Sequence, residues 1–538
     1  MKKSNFLNGA IVSTLGIVVC KIIGLIYVIP FYAMIGATGG ALYSYAYSIY
    51  AIFLSLSTSG IPVAMSKLVS EYNALEQYHT KEKAFKIGSI IIFSFAFIAF
   101  IALMLFAPEI AYFLKGDATG GNTIEDISLV IRIISTALLI VPVFSVTKGY
   151  LRGHKMMTAS SLSDVLEQLV RVAILLLGSF IAIKVLKLKT KFAVCVAVFS
   201  ATIGAFFGYS YLFYIIKKNK KDFNKNAHIK AEEKNITTKT LVKRIFMYAI
   251  PFVVIDLINS AYVVVNSGTI IKTLTRLGYS GEDAEIVLSS IATWASKLDM
   301  IIISVAIGFV TSLIPHITAN YVKKDFEQVH LKINQAIEML LLIVLPMTLG
   351  LTFLAGPVWV IFYGHNALSI NVFTLYAIQA LTYSLHWLLI NVLQSLNKSK
   401  VTLCTLIGAL IFKIIFNVPI MEFVPKLGIP AYQGATITTL LCQIGSIIFI
   451  LLYLKKAIKI KYKPILGSVG KIIFSSLIMI GALIAFTAIV SINVKTRISA
   501  VMVCVIYATL GMLVYGLLTY KLGILNQFIK IFKNKRTT

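Results

Sequence analysis

The sequence predicts an all-α integral membrane protein of about fourteen transmembrane helices, two six-helix lobes with pseudo-symmetry followed by two C-terminal helices. Three observations predict it. Hydrophobic residues make up 58% of the 538 residues and charged residues only 13%, where soluble domains carry about 25% charged residues. Apolar runs of about 20 residues, the length a helix needs to cross a bilayer, recur from one end of the chain to the other. The loops between these runs alternate between basic and nearly bare.

The runs place spans at 8–35, 41–69, 87–114, 127–151, 159–183, 192–216, 244–271, 291–319, 333–356, 369–394, 401–424, 431–454, 465–490 and 498–520. The first begins after Lys2 and Lys3, as a signal peptide would. No small-x-small cleavage site follows, so it reads as a retained span. The longest polar stretch, 217–243, comes after six spans. It divides the chain into an N-lobe (1–216), a basic cytoplasmic loop (217–243), a C-lobe (244–456) and a last section (457–538) with two spans and a basic tail. Paired halves are common in transporters built from repeats. Residues 153–172 and 397–418 are weakly alike, each a short basic turn and then a helix with a mid-span polar group, Gln168 or Lys413.

Orientation follows from the loops. Lys81, Lys83, Lys86, Arg152, Lys155, the run 217–243, Lys323, Lys324, Lys398, Lys400, the lysines from Lys455 to Lys463 and the tail fall on one side. The other side carries Gly36-Ala-Thr-Gly-Gly, the acidic stretch around Asp117 and Asp126, and 356–368. The positive-inside rule then puts both termini in the cytoplasm. One loop, with Lys184, Lys187, Lys189 and Lys191, disagrees. The formal charge of +29 is confined to loops, which points away from nucleic acid and toward a phospholipid bilayer.

Ionisable residues at membrane depth are the informative ones, because each costs about 2.5–3.5 kcal/mol to insert. Lys21 shares a helix face with Thr14 and Gly24. Asp164, Glu167 and Arg171 form a charged stripe beside Gln168. Asp256, Asn259 and Asn266 form a polar stripe, and Lys297 aligns with Ser304, Gly308 and Thr311. Lys413 and Asn417 share a face. Arg132 sits in the outer part of its span, placed to snorkel outward, and Asp299 lies opposite Lys297. Blander readings stand beside the functional ones. Glu167 and Arg171 fit an internal i, i+4 ion pair, and Asp256 and Lys413 fit a packing pair. Lys21 and Lys297 lack an acid at helical spacing on their own face, which favours anion binding. Cations outnumber anions in these stripes, and Arg and Lys suit phosphate or diphosphate. The cargo this suggests is a phosphate-headed lipid.

Other chemistries lack their residues. The seven histidines are scattered and the five cysteines sit singly in apolar segments, so no metal site or disulfide is expected. No GxxxxGK[ST] loop marks an ATP-driven pump, and no cofactor is called for. No large outer loop offers a catalytic domain, so the chain reads as a transporter and not an enzyme.

The opening from Leu15 to Asn73, the stretch KGYLRGHKMMTASSLSDVLEQLVRV and the stretch LQSLNKSKVTLCTLIGALIFKIIFNVPI resemble the polysaccharide-transport branch of the multidrug/oligosaccharidyl-lipid/polysaccharide flippase superfamily. Within it the chain is most similar to the MurJ-type lipid II flippases and the stage V sporulation protein B group. The resemblance implies two lobes, a central cationic cavity and alternating access by rocking. It places Lys21 and Lys297 where relatives carry cavity cations. The arginines that relatives commonly add in the first two helices are missing, so Arg171, Lys148 or Arg152 would serve in their place. The implied activity is flipping an undecaprenyl-diphosphate-linked saccharide, foremost lipid II, across the bacterial cytoplasmic membrane, beside the cell-wall synthesis machinery. Alternatives are another lipid-linked unit (capsule, teichoic or spore-cortex precursor), a multidrug/cation antiporter, or a membrane enzyme or scaffold of wall synthesis. Glu167, Gln168, Asp164, Asp256, Asn259, Lys413 and Asn417 would shape the path.

Overall fold

The computed structural model describes residues 16, 19–55, 60–223, 236–489, 494 and 496–525. Thr14, the N-terminal lysines, the centre of the 217–243 stretch and the basic tail lie outside them. Every regular element among the described residues is helical.

The chain divides into two compact units, Met1–Ser289 and Ser290–Thr538. The first contains α1 (Val19–Ile26) and α2 (Val28–Ser55), bent by 42° against each other. It continues with α3 (Ile61–Ala74), α4 (Tyr78–Leu105), α5 (Ala107–Lys115), α6 (Ile124–Ser135), α7 (Val141–Gly153), α8 (Met157–Phe180), α9 (Thr190–Phe223), α10 (Thr238–Arg276) and α11 (Gly281–Ser289). The second holds α12 (Ala295–Val322), α13 (Phe326–Phe353), α14 (Ala355–Tyr363), α15 (Ala367–Tyr376), α16 (Gln379–Ser395), α17 (Ser399–Phe423), α18 (Gly434–Ala457), α19 (Lys463–Ile489) and α20 (Arg497–Lys521).

Among the described residues, twelve stretches are long and apolar enough to cross a membrane, or thirteen with the bent pair α1–α2. The twelve fall on the third to fourteenth predicted spans, so the chain is a multi-pass membrane protein. The difference from fourteen lies at the start. Part of span 8–35 is outside the described residues, and span 41–69 is carried by the end of α2 and by α3. The predicted turn at 36–40 is a one-residue break. Gly36 has φ 66° and ψ −169° inside α2, a conformation that costs glycine little and other residues much.

Polar side chains cap the starts of some of the helices. The Thr123 hydroxyl accepts from Asp126 N, and Asn366 Oδ1 accepts from Ser369 N at 2.9 Å. Thr496 and Ser499 close a capping box on α20. Arg132 is exposed. Its Nε donates to Met104 O at 3.2 Å, covering a carbonyl at the end of α4.

Close packing needs small residues. A Cβ on Gly149 would lie 2.4 Å from Pro62 O, and one on Gly153 would lie 2.6 Å from Val69 Cβ. These two glycines are the Gly-x-x-x-Gly of the sequence, and they let α7 lie directly on α3. A buried polar knot fixes the loop 116–123 of the same unit. Glu285 accepts from Asn122 N and, at 2.7 Å, from Asn122 Nδ2, and Tyr45 OH donates to it at 3.3 Å. Lys115 donates to Gly120 O at 2.8 Å and to Asn122 O. The discordant lysine loop is partly explained here too: Lys191 pairs with Asp126 at 2.8 Å, so one of its positives is locally compensated. In the second unit α19 and α20 pack together, and Tyr515 OH donates to Leu342 O at 2.7 Å, tying α20 to α13. The apolar stretch of α20 is only 17% buried, against 72% for Gly281–Gly308. An apolar helix left that exposed has hydrocarbon as its solvent.

Candidate functional site

In the first unit α8 brings the predicted stripe against α1, α2 and α7. Arg171 donates from Nη2 to Tyr47 OH at 2.8 Å and to Tyr43 OH at 3.5 Å. Its guanidinium carbon lies 5.5 Å from the Tyr47 ring centroid. The cage is built from a run of rings: Phe31–Tyr43 at 5.3 Å, Tyr43–Tyr47 at 4.4 Å and Tyr47–Tyr50 at 6.0 Å. Arg171 and Glu167 do not form the direct ion pair that i, i+4 spacing allows. The guanidinium is drawn to the phenols, while Lys148 and Arg171 both act electrostatically on Glu167. Gly204 of α9 explains the fit, since a Cβ there would sit 2.8 Å from Glu167 O and 2.9 Å from Arg171 Cβ.

One and two turns before Arg171 the stripe meets α7. Lys148 Nζ lies 2.7 Å from Asp164 Oδ1 and 4.1 Å from the Phe144 ring centroid. Arg152 reaches the other oxygen of Asp164 at only 3.9 Å, and its Nε donates to Ser160 Oγ at 3.0 Å. Gln168 lies against Gly24 of α1, and Gly16 lies against Ser161. The Lys21 side chain, on the same short helix, is exposed. The structure thus brings together Arg171, Glu167, Gln168, Asp164, Lys148 and Arg152, with α1 alongside. Asp256 is half-buried on α10 and Asn259, three residues on, is exposed.

In the second unit Lys297 is half-buried, with Nζ 5.0 Å from the Trp294 ring centroid. Trp294 is fully buried, and Tyr363 OH donates to its carbonyl at 2.8 Å. Lys413 is fully buried and finds partners within its own helix pair, donating to Ala435 O and Thr439 Oγ1 of α18, each at 2.8 Å. Asn417, one turn on, is also fully buried. The Thr311 side chain lies outside the described set. Among the described residues no group of three His, Cys, Asp or Glu could hold a metal ion.

The reading of charges missed Tyr43, Tyr47 and Trp294. A signal existed for the first two: Tyr43, Tyr47 and Tyr50 are spaced i, i+4, i+7, one face of a helix. Trp294 precedes Lys297 by three residues, also one face.

Comparison with known proteins agrees with this architecture. The family model described as polysaccharide biosynthesis protein matches residues 6–321, and MatE matches 285–418. The lipid II flippase MurJ of Bacillus subtilis (strain 168) is 32% identical over 534 residues, covering 98% of this chain and 97% of that protein. Stage V sporulation protein B of the same organism is 26% identical over 441 residues, 81% of this chain and 82% of its own length. Two solved structures share the fold. A multidrug resistance MATE family transporter in an inward-facing conformation matches with a TM-score of 0.67 at 15% identity, over 83% of this chain and 98% of its own. The inward closed conformation of a lipid II flippase MurJ matches with 0.64 at 17%, over 95% and 99%.

Proposed function

The chain belongs to the polysaccharide biosynthesis protein family, in the group that includes the lipid II flippase of Bacillus subtilis, and from that premise we propose that it flips lipid II across the bacterial cytoplasmic membrane for peptidoglycan synthesis. It is a transporter of a lipid-linked saccharide and performs no bond chemistry. One observation carries the choice of cargo. Arg171 lies at membrane depth with its hydrogen bonds made to neutral phenols and without a direct ion pair to Glu167. Such a group attracts an anion, and a diphosphate is the anion between lipid and sugar in this class of molecule.

In this reading Lys21, Lys297, Arg171, Lys148 and Arg152 bind the diphosphate. Glu167, Gln168, Asp164, Asp256, Asn259, Lys413 and Asn417 shape the polar path. The lobes are 1–216 and 244–456, joined by 217–243, with 457–538 adding the last two spans. Both termini lie in the cytoplasm, by the charge of the loops. Two negative charges leaving an inside-negative cell are driven by roughly 4–5 kcal/mol per 100 mV, which suits a carrier driven by membrane potential. The wall-synthesis machinery consumes the flipped product on the outer face.

The test is conditional depletion with an assay of lipid II exposure at the outer face. Exposure should fall as the protein is lost; unchanged exposure would assign the protein to another lipid-linked unit. A Lys21→Ala/Lys297→Ala variant should fail to restore growth, and full complementation would remove these two lysines from the site.

A further inference from the structure

We propose that a pocket on α3, flanked by Arg152 of α7, is a docking station for a phosphate or diphosphate group, with Lys67 and Arg152 as its charged ligands. It deepens the flippase reading and rests on it for the origin of the ligand. The pocket is about 570 Å³ and is lined by Ser66, Lys67, Ser70, Glu71 and Arg152 among others. All of these belong to the first unit. The pocket lies at the end of the unit that carries Lys81, Lys83 and His154, the end that the loop charges assign to the cytoplasm.

Charge pairing leaves the pocket positive. Its acid, Glu71, is engaged by Arg244 at 3.0 Å. The neighbouring acid, Asp164, is engaged by Lys148 at 2.7 Å. The pocket's own lining holds two cations, Lys67 and Arg152, against one carboxylate, Glu71, which Arg244 already engages, so the lining is net positive. Lys67 rests its Nζ on the Tyr248 ring at 3.9 Å from the centroid, which orients the ammonium without neutralising it. Arg152 uses Nε for Ser160 and stands 3.9 Å from Asp164, beyond a good hydrogen bond. Its outer nitrogens are therefore placed to grip an oxyanion in the two-pronged manner that guanidinium allows. The Ser66 and Ser70 hydroxyls supply further donors. Gly149 and Gly153 bring α7 onto α3, and so set Arg152 at the rim. A headgroup captured here would be held close to Lys148 and the Arg171 stripe before moving deeper.

The test titrates the full-length protein in nanodiscs with radiolabelled inorganic pyrophosphate and, separately, with a short-chain polyprenyl diphosphate. Lys67→Gln/Arg152→Gln should weaken binding of both probes by about tenfold or more, the scale of a lost charge-assisted hydrogen bond. Both side chains are exposed, so the fold should survive. Ser70→Asp, which adds a negative charge to the same pocket, should weaken both probes as well. Tighter binding of the polyprenyl probe, with the same dependence, identifies a lipid headgroup; equal binding identifies a free phosphate compound. Binding unchanged in both variants overturns the docking station, whatever the depletion experiment gives. Binding lost in both while depletion leaves lipid II exposure unchanged removes the flippase reading and keeps the station.

Discussion

Tyr47→Phe is the sharpest perturbation of the Arg171 cage. It keeps the ring beneath the guanidinium and removes one oxygen, the acceptor at 2.8 Å. A hydrogen bond to a charged group contributes about 1.5–3 kcal/mol, and the loss should approach that range because Arg171 has no equal substitute. Tyr43→Phe removes only a contact at 3.5 Å, which is long for a hydrogen bond, and should cost less than about 1 kcal/mol. Tyr50 meets the Tyr47 ring edge-on and serves as the control on the same helix face. The measurement is reversible denaturant unfolding in mixed micelles, run as double-mutant cycles with Arg171→Met. Coupling of Tyr47 to Arg171 should be about 1.5 kcal/mol or more, and of Tyr50 to Arg171 near zero. Coupling below about 0.5 kcal/mol for Tyr47, or equal for Tyr43 and Tyr47, would refute the claim that the phenol oxygen holds the guanidinium.

Three further predictions address packing, the buried lysine and pH. Gly149→Ala places a methyl 2.4 Å from Pro62 O and should destabilise by about 1–3 kcal/mol through overpacking, seen as a lower unfolding midpoint; an unchanged midpoint would mean that α7 can withdraw from α3 freely. Lys413→Ala should cost about 2–4 kcal/mol through the cavity it leaves, while Lys413→Met should stay within about 1 kcal/mol of the parent in the same unfolding assay. Thr439 still donates to Ala435 O in the methionine variant, so equal losses in both would show that the ammonium itself holds α17 to α18. Burial, reinforced by Lys81, pushes His154 from 6.5 down to about 3. The unfolded chain then binds the extra proton first, so this stability is complete above about pH 6.5 and is lost as pH falls toward 3; at pH 5 the loss is about 2 kcal/mol. His154→Phe should flatten the stability profile between pH 7 and pH 5, and an unaltered profile would assign the acid sensitivity elsewhere.

The spans were legible because bilayer thickness fixes helix length and composition together, which is why the last twelve predicted spans each meet a helix. The first two were less so, because a one-residue break at Gly36 and a gap before α3 leave no long polar loop to read. At the site, the stripe Asp164–Glu167–Arg171 was visible as spacing along one helix. Its partners were not. Arg171 could have paired with Glu167 by spacing alone, and only the approach of α2 to α8 decides that the phenols capture it. Lys148 and Asp164 are sixteen residues apart, on helices joined by a turn, so their pairing needed the tertiary fold. Lys413 showed its depth in the sequence, but its neutral partners on α18 carry no charge signal.

The distribution of partners bears on function more than the number of cations does. At the unit's ends, cations meet carboxylates: Lys191 with Asp126 and Arg244 with Glu71. Such pairs cancel charge and leave little field. Deeper, Arg171 is held by phenols, and Lys413 by a carbonyl and a hydroxyl. Neutral dipoles lower the cost of placing a cation in the membrane while leaving its field intact. Lys148 is the exception, and its acid, Asp164, is shared with Arg152. A chain that needed only to insert would gain by pairing each cation with a carboxylate. Holding Arg171 with oxygens that carry no net charge preserves its attraction for an anion that must arrive and then leave. Replacing Tyr47 by Glu would test this directly. The new carboxylate should keep Arg171 in place, with stability within about 1 kcal/mol of the parent, yet abolish complementation because the charge is cancelled. Complementation by Tyr47→Glu would show that Arg171 is a packing element and that the cargo's charge is read elsewhere.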